Sequence, residues 1–305
     1  MFWKRQGTHQ NDHELTHPLL QSLLAMAWFV EARDPYTGGH LWRVSRYAYL
    51  LANTLGLTQA DCARISLGGF LHDLGKIGIP DAILGKNGAL TDQEYAQIKT
   101  HPGIGVRLLG GHPLAQLVES AVGSHHERPD GKGYPRQLTG EALSMDARIV
   151  GLCDAFDAMT SQRPYRPGMS EEKALSIIQN ESGHQFDEKL VPAIHALSQQ
   201  GLLAHIIGHS DEGIPLQNCP MCGPTLVITR ENRVGDNLYC RSCEGEFVLV
   251  QGKGSLPQPK PTGNTGTAAD LEPLADEPLL QRTVNELAPW LPLNQLLRGP
   301  DISKR

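Results

Sequence analysis

Residues 70–81 read Phe-Leu-His-Asp-Leu-Gly-Lys-Ile-Gly-Ile-Pro-Asp, with His72 and Asp73 side by side and Lys76 one turn further on. A helix turns about 100° per residue, so these three fall in one sector while Leu67, Leu71 and Leu74 fall elsewhere and can be buried. An imidazole beside a carboxylate suits a first-row divalent cation such as iron or manganese. An ammonium four residues on can hold the phosphate oxygen that such a cation polarises. An isolated His-Asp pair is more often the charged end of a capped helix, so the reading turns on ligands elsewhere in the chain.

The 305 residues are 40% hydrophobic, enough for a full core, and the length suggests about two domains. A net charge of −6 gives no general attraction for nucleic acid or anionic lipid. The longest early apolar run, residues 19–30, is broken by Gln21 and Ser22, is too short to span a bilayer and lacks a small-residue cleavage site. A cytoplasmic protein without a membrane span is the expectation. Four of the six cysteines form two Cys-x-x-Cys pairs, which points to metal rather than disulfides. Cys62 and Cys153 lie in helical patterns and read as buried, inert thiols.

Residues 1–18 are polar and read as an N-terminal arm, with His9, His13 and His17 at a spacing of four. Residues 19–200 carry helical periodicity: Leu20, Leu23, Leu24, Ala27 and Val30, then Leu41, Val44, Tyr47, Leu51 and Leu55, then a helix opened by Asp61 that carries His72. Thr91-Asp-Gln-Glu94 is a capping box, and further helices read over 113–126, 145–160, 170–181 and 187–200. An all-α main domain follows. Residues 201–216 form a connector. Residues 217–251 hold Cys219, Cys222, Cys240 and Cys243 with strand candidates at 226–229 and 247–250. Residues 252–270 have the Gly, Pro, Thr and Lys content of a flexible linker. In the tail, 271–305, Leu280, Val284 and Leu287 are helically spaced, as in a docking helix for a partner or a segment packed on its own chain.

His40 follows Asp34-Pro-Tyr-Thr-Gly-Gly39, His101 precedes Pro102, His125 and His126 are adjacent, and Asp154 lies in Gly151-Leu-Cys-Asp154-Ala-Phe-Asp157. With His72-Asp73 and the loop His125-His-Glu-Arg-Pro-Asp130-Gly-Lys-Gly133-Tyr134-Pro135, these stretches resemble the HD-GYP family of the HD phosphohydrolases over about residues 19–195. Agreement extends to Arg163, Tyr165 and Arg166 and to His184-Gln-Phe-Asp187. The resemblance implies an HD-domain helical bundle in which His40, His72, Asp73 and Asp154 bind one ion, while Asp73 bridges to a second held by His101, His125 and His126. It makes Lys76, Arg163 and Arg166 phosphate contacts and places Asp130 and Tyr134 at the lip of the pocket. Asp157, one turn beyond Asp154, then orients a ligand rather than binding metal. Members with a third ion carry an acid four positions before the first histidine ligand. Tyr36 stands there instead, so two ions are expected, with Glu31 and Asp34 the nearby carboxylates.

The two cysteine knuckles are spaced for one four-thiolate structural zinc and resemble a zinc ribbon. Between 219 and 250, Arg230, Arg233 and Arg241 are outweighed by Glu231, Asp236, Glu244 and Glu246, which favours a protein contact over nucleic acid. The resemblance implies hydrolysis of cyclic di-GMP by metal-bound hydroxide, through pGpG and onward to GMP. The residues alone argue only for a phosphate ester. That leaves open another nucleotide or a mixed cyclic dinucleotide as substrate, and a cyclic dinucleotide receptor without catalysis.

Overall fold

In the computed structural model residues 11–33, 37–86, 88–162, 167–223, 225–252 and 257–292 are described, with side chains from His17 onward. The helical part runs α1 Asn11–Glu31, α2 His40–Thr54, α3 Gln59–Leu71, α4 Asp81–Leu84, α5 Asp92–Ile98, α6 His101–Leu109, α7 Ala115–Ser124, α8 Met145–Thr160, α9 Glu171–Asn180 and α10 Val191–Gln199. Local chemistry sets many starts. Thr58 accepts from the Asp61 amide at α3, Ser144 from Ala147 at α8, and Thr91 and Glu94 close the capping box at α5. α1 begins at Asn11, inside the stretch expected to be an arm.

Helices α1, α2, α3, α7 and α8 share one core. Leu24, Val44, Leu51, Ile65, Leu67, Val118, Val150 and Phe156 are fully buried in it, and Tyr47 meets Phe156 edge to face at 5.2 Å. Cys62 and Cys153 are buried there as expected. The helix read as carrying His72 ends sooner than expected. α3 stops at Leu71, Asp73 sits at φ −92°, ψ 5°, and Leu74–Gly78 is a 3-10 turn. Packing explains the break, because a Cβ on Gly75 would lie 1.8 Å from the His101 carbonyl oxygen. The chain tightens here so that α6 can approach backbone to backbone.

Beyond α10 the chain forms β1 His209–Asp211 with β2 Ile214–Pro215, β3 Gln217–Asn218 with β4 Thr225–Leu226, and a three-stranded antiparallel sheet of β5 Asn237–Tyr239, β6 Gly245–Gln251 and β7 Pro257–Thr265. β4 covers only the first part of the strand read at 226–229, and β6 contains the one read at 247–250. Residues 257–265 are not the flexible linker that composition suggests. They pair along β6 from Gln251 opposite Pro257 to Gly245 opposite Thr265. Alternation lets the prolines sit where an edge strand needs no donor. The tail helix α11 Glu277–Leu287, capped by Asp276, packs on its own chain. Its Leu279, Leu280, Val284 and Leu287 join the main core. Among the described residues no helix is long and apolar enough to cross a membrane.

Candidate metal centre

Five helices converge on Asp73. α2 opens with His40, the end of α3 supplies His72 and Asp73, α6 opens with His101, the end of α7 supplies His125 and His126, and α8 supplies Asp154 and Asp157. His72 and His101 are fully buried and Asp73 is 6% exposed. The Asp73 carboxylate is shared between two groups. Oδ2 lies 3.6 Å from His40 Nε2 and 3.4 Å from His72 Nε2, whereas Oδ1 lies 3.4 Å from His101 Nε2. Asp154 Oδ1 is 3.5 Å from His40 Nε2 and 3.8 Å from His72 Nε2. Donor atoms of His101, His125 and His126 form one compact group and those of His40, His72 and Asp73 another, while His72, His125 and Asp154 form a third that links them.

The rings are aimed by their outer nitrogens. His72 Nδ1 donates to the Gly69 carbonyl at 2.7 Å, His101 Nδ1 to Ile98 at 2.7 Å, and His125 Nδ1 to Ala121 at 3.1 Å. These partners fix the tautomer and leave each Nε2 lone pair facing inward. Burial depresses the proton affinity of His101 and His125, so both rings are neutral, yet their Nε2 atoms face one another at 3.3 Å. Two lone pairs at that distance repel unless a cation lies between them and the carboxylates. The donor set therefore fits divalent cations, and imidazole with carboxylate suits iron or manganese.

His40 is held differently. Its Nδ1 lies 2.8 Å from Asp157 Oδ2, and Arg43 grips the same carboxylate through Nε at 2.6 Å and Nη2 at 3.0 Å. Burial alone would raise the Asp157 carboxyl, but Arg43 and the hydrogen bond to His40 outweigh it and hold the acid well below the usual range. Burial disfavours a charged His40, while hydrogen bonds to Asp157 and Asp73 favour it more, lifting its pKa to about 9. Asp157 thus contacts the outer nitrogen of His40, while the His40 Nε2 faces Asp73.

Lys76 Nζ reaches Asp73 Oδ2 at 2.6 Å, on the open side of the cluster. The Tyr134 ring stacks on His126 with centroids 4.7 Å apart. Burial pushes the Tyr134 phenol up, so it stays protonated. Gly133 is required beneath it, since a Cβ there would sit 2.5 Å from the Arg128 amide nitrogen. Asp130 lies in the same loop, but its oxygens are taken by Arg128 at 3.0 and 2.7 Å and by the Lys132 amide at 3.0 Å, which makes it a brace of the loop. Arg163, Arg166, Asp34 and Tyr36 lie outside the described residues. The Glu31 carboxylate accepts from the Leu41 amide at 2.8 Å, and burial raises its pKa to about 7.

Two contributors had no mark in the sequence argument. Glu127, within the His-His-Glu run, accepts from the Arg136 and Leu138 amides at 2.6 and 2.9 Å and anchors the loop carrying Tyr134. Arg43, one turn after His40, is buried under Asp157. No local signal marked it, because α2 carries no acid near Arg43 and its partners Asp157 and His209 come from distant parts of the chain.

The four cysteines also converge. Sγ separations are 3.5 Å for Cys219 to Cys222, 3.5 Å for Cys222 to Cys240 and 3.8 Å for Cys219 to Cys243. All are far beyond a disulfide, and a tetrahedron of bonds about 2.3 Å long to zinc has edges of about 3.8 Å. Phe247 and Leu226 are buried against two of the sulfurs.

The HD domain model matches residues 25–190, and the chain belongs to the HD domain family. It is similar to a "Cyclic di-GMP phosphodiesterase" of Vibrio cholerae, 37% identical over 206 residues, covering 63% of this chain and 42% of that protein. The "Cyclic di-GMP phosphodiesterase response regulator RpfG" of Xanthomonas campestris is 41% identical over 176 residues, covering 57% of this chain and 47% of the relative. A "3'3'-cGAMP-specific phosphodiesterase 3" of Vibrio cholerae is 35% identical over 170 residues, covering 56% of this chain and 37% of the relative. The chain thus spans under half the length of these curated relatives.

Proposed function

We propose that the protein is an HD-GYP-type phosphodiesterase that hydrolyses cyclic di-GMP to pGpG and onward to GMP. The observation that carries this reading is the split Asp73 carboxylate, with His40 and His72 facing one oxygen and His101 facing the other. In this reading His40, His72, Asp73 and Asp154 hold one divalent ion, and Asp73, His101, His125 and His126 hold a second. Bound there, iron or manganese would supply Lewis acidity toward the phosphodiester and acidify a water enough for attack near neutral pH.

The chain's own groups do the positioning. The Nδ1 hydrogen bonds keep the rings aimed before substrate arrives, so little reorganisation is needed. Lys76, Arg163 and Arg166 would offset the negative charge of the phosphodiester, Lys76 passing from Asp73 to a phosphate oxygen. Tyr134, neutral and stacked on His126, closes the lip against a nucleobase. Cys219, Cys222, Cys240 and Cys243 hold one structural zinc, and the ribbon with α11 is the part available to a protein partner.

A second reading, a mixed cyclic dinucleotide as substrate, is favoured by the similarity to the relative named as specific for 3'3'-cGAMP. Incubating manganese- or iron-loaded protein with cyclic di-GMP, 3'3'-cGAMP, cyclic di-AMP and pGpG, followed by chromatography, separates the cases. Cyclic di-GMP should be consumed fastest, with pGpG appearing before GMP. Faster loss of 3'3'-cGAMP would select the second reading. Tight binding of nucleotide by metal-analysed protein with no product would leave a receptor instead of an enzyme.

A further inference from the structure

Arg43 joins the centre to a part of the chain beyond the matched domain. It is 1% exposed, and each of its five N–H donors has an acceptor. Nε and one Nη2 hydrogen hold the two oxygens of Asp157, and the other Nη2 hydrogen meets Ser161 Oγ at 3.2 Å. Nη1 donates to the Gly38 carbonyl at 3.0 Å and to the His209 carbonyl, in β1, at 2.8 Å. Since Asp157 in turn holds His40 Nδ1, an unbroken chain runs from β1 through Arg43 and Asp157 to His40.

The turn before His40 is pressed by the same module. Gly39 has φ +73°, and a Cβ on it would lie 2.5 Å from Ser210 Cα. A Cβ on Gly38 would lie 2.5 Å from Cγ2 of Val227, just past β4 in the cysteine module. Gly38 and Gly39 are the two residues from which α2, and so His40, departs.

We propose that Arg43 is the positioning residue for His40 and makes the His40 half of the centre answer to the C-terminal module through the His209 carbonyl and the turn at Gly38 and Gly39. The inference rests on the dinuclear reading above. A guanidinium can bind both Asp157 oxygens and two carbonyls at once because its donors are fixed in a fork; an ammonium is a single point and cannot. When β1 or the segment at Val227 shifts, the fork and the turn shift with it, and His40 loses its alignment while His101 and His125, held by backbone carbonyls, and His126, stacked on Tyr134, keep theirs. Movement of the module by a partner would thus act on one ion of the pair.

The test is nucleotide-free Mn²⁺ titration of the full chain, with zinc content and melting temperature followed in parallel. Arg43→Lys should weaken one of two bound ions about 10–100-fold and leave the other unchanged. Gly38→Ala, which drives a methyl into Val227, should weaken the same ion, and Gly38→Ala/Val227→Ala should restore it. Should Arg43→Lys fail to fold, the Gly38 series decides alone. Wild-type affinities in Gly38→Ala, equal weakening of both ions with a falling melting temperature, or no rescue by Val227→Ala would overturn the proposal. Failure of the unmodified protein to take up two Mn²⁺ would instead overturn the dinuclear reading, and this inference with it.

Discussion

At the scale of single residues the centre is governed by which group faces which oxygen of Asp73. Asp73→Ala removes the carboxylate shared by both halves and leaves two cations without charge between them. Hydrolysis should fall below detection and at least one divalent ion should be lost, as read by elemental analysis and product chromatography. Near-normal turnover by a folded Asp73→Ala protein would remove the dinuclear mechanism. Lys76 contacts the same carboxylate through Nζ at 2.6 Å. Lys76→Ala should keep both ions and lower kcat by about 10²-fold, the usual cost of losing one preorganised charge contact. Metal loss in that variant would show that the ammonium holds Asp73 in place and does not serve phosphate.

At the scale of elements, α11 behaves as part of the helical domain. Leu280 and Val284 are fully buried among residues of the main core, Arg46 pairs with Glu286, and Arg282 pairs with the buried Asp211 of β1. Leu280→Ala should cost about 2–5 kcal/mol, the range for truncating a buried leucine. The urea midpoint measures it, and a cost under 1 kcal/mol would mean that the helix is only loosely attached. Separate folding of residues 1–212 carries the same burden. Such a fragment would expose the face of the core that α11 covers, and its melting temperature should be lower than that of the full chain.

For the whole molecule, the two halves of the centre oppose one another in pH. Burial holds His126 at about 4, against an ordinary 6.5 in the unfolded chain, and depresses His101 and His125 as well. Between those values the unfolded chain binds more protons, so the stability of metal-free protein should fall as pH drops from about 6.5 toward 4. His40, raised to about 9, gains a proton on folding; its contribution is complete below 6.5 and is lost as pH rises through about 9. Urea midpoints of the metal-free protein should therefore peak near pH 6.5 and decline on both sides. Saturating manganese should flatten the alkaline arm, because a cation replaces the proton on His40. A monotonic rise from pH 6 to 9 without metal would show that His40 is neutral in the folded state.

The sequence alone carried the donor types, their order and the capping box at Thr91, because metal ligation and helix starts depend on particular side chains at short spacings. Thr91 with Glu94 and the cysteine pairs act within a few residues, and these local patterns were legible before any tertiary contact. It did not show that α3 stops at Leu71, because the cause is the His101 carbonyl arriving against Gly75 from 26 positions away. Nor did it show β7, since prolines and glycines read as linker until a partner strand such as β6 offers the pairing. Nor did it show that Asp130 accepts from Arg128 and the Lys132 amide and so braces its loop. Arg43 was silent because its partners, Asp157 and the His209 carbonyl, lie 114 and 166 positions away, and only folding brings them into one hydrogen-bonded group.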